Sequence, residues 1–451
     1  MNAFTLYSNL PIWLQNILCS VKGYLLQRER YGEEYDEIYK SLLESDNWTP
    51  AQIRGYKEKQ IAHILNYAYQ HTRFYKKFFD EHKVSPKDFQ KLKDLDKFPI
   101  LTKEIVRSNW KDMISEEWDI KDLVPYHTSG STGKALDFYW TRHNIRFYWG
   151  VVWRGRHRFG IERGDLHFNF TGKIVVPLSQ KCPPYWRYNR PLNQYMINMQ
   201  HITKDKVASI VELLNKKCPR FFVGYPSIIH SFALLIEEQK LNVTAKVEYI
   251  FSSAEKMYDF QREVIERVFQ GVKIIEHYGF SENAASASKD IDGFYHEDFE
   301  LGHLELNNPT KTDDCLTGTL LATGFQNFGM PFIRYEIGDT ATFKHDGIIS
   351  DIEGRNGDFV ITPEGAKIMR FGYIFKCTED IKECQVIQRK YGEMIIRAVP
   401  RDKADLPKFE QSVRNSIKEW ISKTINVEFE YVEAIPRTKS GKFKAVISEI
   451  S

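Results

Sequence analysis

The run Thr128-Ser129-Gly130-Ser131-Thr132-Gly133-Lys134 combines the residue types that hold a polyphosphate. Glycines let backbone approach a ligand closely, while hydroxyls and a lysine supply hydrogen-bond donors. The run is not a Walker A loop, because Thr128 stands where that pattern has glycine and Ala135 follows the lysine in place of Ser or Thr. Taken alone, it also reads as a solvated Ser/Gly turn. Other groups follow in order. Tyr278-Gly279-Phe280-Ser281-Glu282 sets a ring, a hydroxyl and a carboxylate at the end of an apolar run. Gly338-Asp339 follows Arg334-Tyr335, Arg355-Asn356-Gly357-Asp358 comes next, and Pro436-Arg437-Thr438-Lys439-Ser440-Gly441-Lys442 lies near the end. Each is weak by itself, since a Gly-Asp pair is usually a turn and a basic run usually a solvated face.

The surrounding pattern says how these groups are positioned. Phe221 to Val223 forms a short apolar strand ending at Gly224, and Pro226 opens a helix through Ile229, Phe232, Ala233 and Ile236. Val247 to Phe251 is the next strand, Tyr258 to Phe269 the next helix, and Val272 to Ile275 a third strand ending at His277-Tyr278-Gly279. This alternation predicts parallel strands joined by right-handed crossovers. Open α/β sheets bind ligands at the carboxyl ends of their strands, which places Ser252-Ser253-Ala254-Glu255 and Tyr278 to Glu282 at the binding edge. After about Arg355 the texture changes. Met394 to Val399 reads as a strand, Phe409, Val413, Ile417, Trp420 and Ile421 mark an amphipathic helix, and Val427, Phe429 and Tyr431 alternate as a last strand.

Together these motifs resemble, in order and spacing from Thr128 to Lys442, the superfamily of acyl-CoA synthetases, peptide-synthetase adenylation domains and luciferases that form acyl-adenylates. The long lead-in, with its Tyr/His/Phe-rich stretch at Tyr67 to Phe79, looks most like the phenylacetate-CoA ligase and CapK branch, whose CapK-type members are associated with bacterial surface polysaccharide synthesis. The resemblance implies an α/β fold: a large domain of residues 1–357, with mixed, largely parallel sheets flanked by helices and a helical lead-in over 1–95, and a small mobile α+β domain of residues 358–451. It further implies that the Thr128 to Lys134 loop holds the β- and γ-phosphates of ATP and that Ser253, Ala254 and Glu255 line the nucleotide pocket. By the same resemblance Tyr278 stacks on adenine with Gly279 beside it, Ser281 touches the α-phosphate and Glu282 holds Mg²⁺. Asp339 and Arg355 bind the ribose, Asp358 is the hinge, and Lys442 is the catalytic lysine. A substrate carboxylate then attacks the α-phosphorus and pyrophosphate leaves, with Mg²⁺ and the lysine ammonium stabilising the developing charge.

The acceptor of the acyl group is read from departures. Ala135 replaces the family's proline, Ser281 its threonine, and Gly357 a second acidic residue. Gly365-Ala366-Lys367-Ile368-Met369 lacks the glycine-and-proline stretch of phenylacetate-CoA ligases, which favours an amino or hydroxyl acceptor on a sugar or carrier, with CoA as the alternative. For the carboxylic acid, Tyr225, Phe280 and His167 to Gly172 are the candidate pocket residues. His277 reads first as a hydrogen-bonded strand-end histidine and second as a base. Two other classes stay open. A kinase or ATPase would release ADP or phosphate, and a non-catalytic scaffold would have lost Glu282 or Lys442, both of which are present.

Charge and composition narrow the partners. Lys+Arg 63 against Asp+Glu 60 leaves +3, so no basic face calls for nucleic acid. Six scattered cysteines without a Cys-x-x-Cys pair, and no signal-peptide pattern, point to a cytoplasmic protein with free thiols. No apolar run is long enough to span a bilayer. Leu10, Trp13, Leu14, Ile17, Leu18, Val21 and Leu25 form one helical stripe. Such stripes usually face a core, which makes packing on the chain's own domain the first reading and peripheral contact with a membrane or partner the second.

Overall fold

The computed structural model describes residues 3–127, 136–170, 174–312, 314–344, 347–353, 360–363, 367–368, 380–437 and 443–450. The Thr128 to Lys134 loop, Arg355, the expected hinge residue Asp358 and Lys442 lie outside the described residues, as does the expected domain boundary at 357/358.

The centre is a 12-stranded mixed sheet. Its parallel part runs Gln194–Ile197, His167–Phe170, Phe221–Gly224, Tyr249–Ser253 and Lys273–Gly279 across the sheet. These strands are short apolar runs because helices cover them, so neither face needs polar residues. Phe221, Phe222, Ile250, Phe251, Ile274 and Ile275 are all buried. The helix Pro226–Glu238 is apolar nearly all round and packs with Asp259–Val268 over one face. Gly224 ends its strand where a Cβ would come within 2.1 Å of the Phe170 carbonyl oxygen, so only glycine fits. Beyond Lys273–Gly279 the sheet continues antiparallel through Ser286–Lys289, Tyr295–Glu297, Ile349–Glu353, Tyr335–Lys344, Cys315–Gly324 and Gly302–Lys311. The α/β class and the strand–helix alternation read from the sequence agree with this architecture.

The C-terminal unit is a 4-stranded sheet of Asn426–Tyr431, Glu393–Pro400, Ile381–Gln388 and Val446–Ser448. The helix Leu406–Trp420 buries Phe409, Val413 and Ile417 against Val386, Ile396 and Val427. Asp405 caps that helix by accepting the Lys408 amide at 3.1 Å. Val360 is buried in this same core. The unit seats on the large sheet's helices through Phe260, which joins its core, and through the Lys382–Glu238 pair at 2.7 Å and the Arg401–Glu237 pair at 3.1 Å.

In the lead-in, Thr72 separates the helices Pro50–His71 and Arg73–Glu81. Its hydroxyl donates to the Ala68 carbonyl at 2.8 Å and accepts from the Tyr75 amide at 3.1 Å, ending one helix and capping the next. The N-terminal stripe forms the helix Ile12–Arg30, but Trp13, Ile17, Leu18, Val21 and Leu25 are exposed. The opposite, polar face of the helix meets the protein.

Candidate active site

The strand Lys273–Gly279 delivers consecutive side chains to opposite faces. On one face, the Tyr278 hydroxyl donates to Asp339 Oδ2 at 2.7 Å, joining residues 61 positions apart. Burial, followed by the Asp339 charge, pushes this phenol well above its usual range, so it is a fixed donor that orients the ring. Asp339 is carried by the strand Tyr335–Lys344, and from the same strand the Tyr335 hydroxyl donates to Glu282 Oε1 at 2.5 Å. Glu282 is buried at 5% exposure and has no cationic partner among the described residues. Such a carboxylate fits Mg²⁺, which takes few protein ligands and the remainder from phosphate and water. No cluster of three or more His, Cys, Asp or Glu that could hold a metal exists among the described residues.

On the other face, His277 Nδ1 pairs with Ser288 Oγ at 3.1 Å, the hydrogen-bonded arrangement expected first. Burial depresses its pKa, which keeps the ring neutral at pH 7. Its Nε2 is buried without a partner among the described residues, and so is Ser252 Oγ. Both side chains line a cavity of about 130 Å³ together with Tyr148, Trp149, Arg156 and Ser253. Arg156 lies among rings, 4.6 Å from the Trp153 centroid and 5.4 Å from that of Phe251, and its guanidinium has no hydrogen bond or ion pair among the described residues. Burial lowers its pKa to about 10, so it remains charged. A buried cation without an anion is costly and marks a place for one.

The loop after Tyr249–Ser253 joins the two units. Ala254 is held at φ 69°, a left-handed conformation strained for a residue with a Cβ. Next to it, Glu255 accepts the Ser227 amide at 3.1 Å and the Phe443 amide at 2.6 Å. Phe443 directly follows Lys442. Burial raises the Glu255 pKa, partly offset by these amides. The loop therefore holds the backbone beside the expected catalytic lysine.

Known proteins resemble the chain over most of its length. A family model described as the CapK C-terminal domain matches residues 360–449. The CapK protein of Staphylococcus aureus is 28% identical over 462 aligned positions, covering 99% of each chain. The chain is a CapK homologue. A phenylacetate-coenzyme A ligase of Thermus thermophilus is 21% identical, over 88% of this chain and 96% of its own. The solved structure of a 2-hydroxyisobutyryl-CoA ligase in the postadenylation state, in complex with R3-HIB-AMP, shares the fold with TM-score 0.69 at 17% identity. That match covers 89% of this CapK homologue and 90% of the solved chain.

In this CapK homologue, Tyr278, Asp339 and Glu282 come together, while Ser253, Ala254 and Glu255 sit at the adjacent strand end with Gly279 and exposed Ser281 nearby. Tyr225 and Phe280 are half-buried, and neither lines the cavity. His167 instead stacks on Phe221 at 4.7 Å, with its pKa lowered to about 4 by burial. Phe168 and Phe170 are core, and Thr171 and Gly172 lie outside the described residues. Sequence reasoning missed Arg156 and Tyr148. The available signal was an arginine within the ring-rich helix Arg142–His157.

Proposed function

We propose that this chain activates a carboxylic acid with ATP, releasing pyrophosphate, and passes the acyl group from the adenylate to an acceptor. The observation that carries the reading is the joined set Tyr278–Asp339 and Tyr335–Glu282, with Glu255 holding the residue after Lys442. A substrate carboxylate oxygen bonds to the α-phosphorus as the bond to the β-phosphate breaks, and pyrophosphate departs. An acceptor nucleophile then bonds to the acyl carbon, the acyl–oxygen bond breaks, and AMP departs. Tyr278 supplies a ring face for adenine and Asp339 a carboxylate for the ribose. The Thr128 to Lys134 loop receives the outer phosphates, Ser281 the α-phosphate, and Arg355 the ribose. Glu282 would hold Mg²⁺, which neutralises charge on the phosphates. Lys442, brought by a C-terminal unit that turns about Asp358, stabilises charge at the α-phosphorus.

The acid occupies the cavity beside Trp149 and carries a second anionic or hydrogen-bonding group, because Arg156 and the open His277 Nε2 converge there. The acceptor is an amine or hydroxyl on a sugar or carrier used in surface polysaccharide assembly. The full-length CapK match and the C-terminal family model support this choice. A second reading, thioester formation with CoA, is supported by the relationship to phenylacetate-CoA ligases.

The test is acid-dependent pyrophosphate release with ATP and Mg²⁺ across hydroxy, dicarboxylic, aryl, fatty and amino acids, with and without CoA. Pyrophosphate with AMP and an adenylate that ignores CoA supports the first reading. Acyl-CoA formation supports the second. ADP in place of AMP overturns both.

A further inference from the structure

An amphipathic helix normally turns its apolar side inward. Ile12–Arg30 does the reverse. Gln15 is buried and accepts from Arg187 Nε at 2.8 Å, and Asn16 Oδ1 accepts the Tyr188 amide at 3.0 Å. Ser20 Oγ accepts the Arg190 amide at 3.3 Å. Gly23 lies so close to Asn189 that a Cβ would come within 1.9 Å of its side-chain oxygen. The polar side is thus built to fit the strand Trp186–Asn189. The outer side presents Trp13, Ile17, Leu18, Val21, Tyr24 and Leu25, from 40% exposed at Leu18 to 63% at Trp13. Leu6 and Leu178 are also exposed, on segments joined by the Tyr7 hydroxyl, which donates to the Val175 carbonyl at 2.6 Å.

The charge around this patch is one-sided. Residues 3–30 and 166–205, which supply the helix and its seat, contain only two acidic residues, half-buried Glu29 and exposed Asp205, although the chain has 60 Asp and Glu. Lys22, Arg28, Lys181 and Arg190 on the same segments are exposed. We propose that this face docks the protein on an anionic phospholipid surface, with the helix lying in the plane of the interface. An exposed apolar stripe with a tryptophan and a tyrosine, set in a surround where Lys22, Arg28, Arg30, Lys181 and Arg190 outnumber Glu29 and Asp205, has the form of an interfacial helix. Anionic headgroups match the surround, whereas a second copy placed face to face would oppose cation to cation. No helix among the described residues is long and apolar enough to cross a membrane, so the contact is peripheral. The inference is independent of the reaction proposed above.

Flotation of the full chain with vesicles of phosphatidylcholine alone, or mixed with phosphatidylglycerol, tests it. The protein is expected to float with the mixed vesicles, less so in high salt, and not with phosphatidylcholine alone. The combined variant Trp13→Ser, Ile17→Ser, Leu25→Ser is expected to lose at least ~10-fold in vesicle affinity, since burying each side chain carries roughly a tenfold factor. Its circular dichroism and melting temperature should match the parent, because the altered side chains touch solvent. Lys22→Gln with Arg28→Gln should weaken binding to the mixed vesicles selectively. Two results overturn the proposal: no flotation with mixed vesicles, or a parent dimer in light scattering that the serine variant dissociates, which would make a second copy the occupant.

Discussion

The Glu255 carboxylate holds the amide of Phe443 at 2.6 Å, tying a strand-end loop of the large sheet to the residue after Lys442. The same carboxylate accepts the Ser227 amide at the start of the helix Pro226–Glu238. One side chain thus connects a helix N-terminus, a strained loop and the C-terminal unit. Its pKa is raised, chiefly by burial. For a group whose folded pKa exceeds its unfolded value, the stability contribution is present at low pH and lost as pH rises through the folded value. Keeping Glu255 ionised at neutral pH therefore costs stability. Glu255→Gln should leave thermal stability at pH 7 unchanged or raised while slowing pyrophosphate release roughly tenfold, the worth of one charge-assisted hydrogen bond. A melting curve and a pyrophosphate assay on the same sample check both.

Lys442→Ala should reduce pyrophosphate release by ~10²–10³ while leaving ATP affinity within a few-fold, because one charge-stabilising group acts mainly in the transition state. Pyrophosphate release by the variant at the parent rate contradicts the assignment. Binding is read separately by equilibrium dialysis.

Tyr335→Phe removes the hydroxyl that donates to buried Glu282. A hydrogen bond to a charged group is worth ~1.5–3 kcal/mol, so activity at limiting Mg²⁺ should fall about tenfold or more and recover partly as Mg²⁺ is raised. A Mg²⁺ titration of the initial rate gives the answer.

Arg156→Leu replaces a desolvated cation that lacks an anion among the described residues. The variant should melt at or above the parent temperature, since removing an uncompensated buried charge relieves its desolvation. The KM for the acid should rise at least ~10-fold, while the KM for ATP stays put. An equal rise in both would place Arg156 outside the acid site.

Glu297 is the residue to watch in acid. Burial by itself would raise its pKa, but the Lys57 ammonium and His303 outweigh that and hold it at about 2. A depressed folded pKa contributes stability above the unfolded value, lost as pH falls through the folded one. Stability should therefore decline from about pH 5 towards pH 2, with this group accounting for about 3 kcal/mol, and Glu297→Gln should flatten that decline. Urea midpoints across that range measure it.

Much of this was legible in the chain. Strands such as Phe221–Gly224 and Lys273–Gly279 are short apolar runs between helical periods, and that local signal survives folding because packing and periodicity agree. Ser252 to Glu255 and Tyr278 to Glu282 were placed at one edge by parallel connectivity alone. The break at Thr72 was not legible, because the apolar period runs through it and only a hydroxyl bonded both ways reveals the stop.

By itself the sequence determined the order of the motifs, the alternation that makes the sheet parallel at its centre, and the existence of a two-faced N-terminal helix. Only the tertiary structure decided which face of that helix meets the protein. Periodicity records the angle between apolar and polar residues, whereas the surface that answers them, here Arg187 to Asn189, comes from another part of the chain. The same holds for Arg156, whose lack of an anion among the described residues depends on every neighbour that folding brings to it. Pairing across 61 residues, as between Tyr278 and Asp339, is likewise a product of the sheet register and not of local spacing.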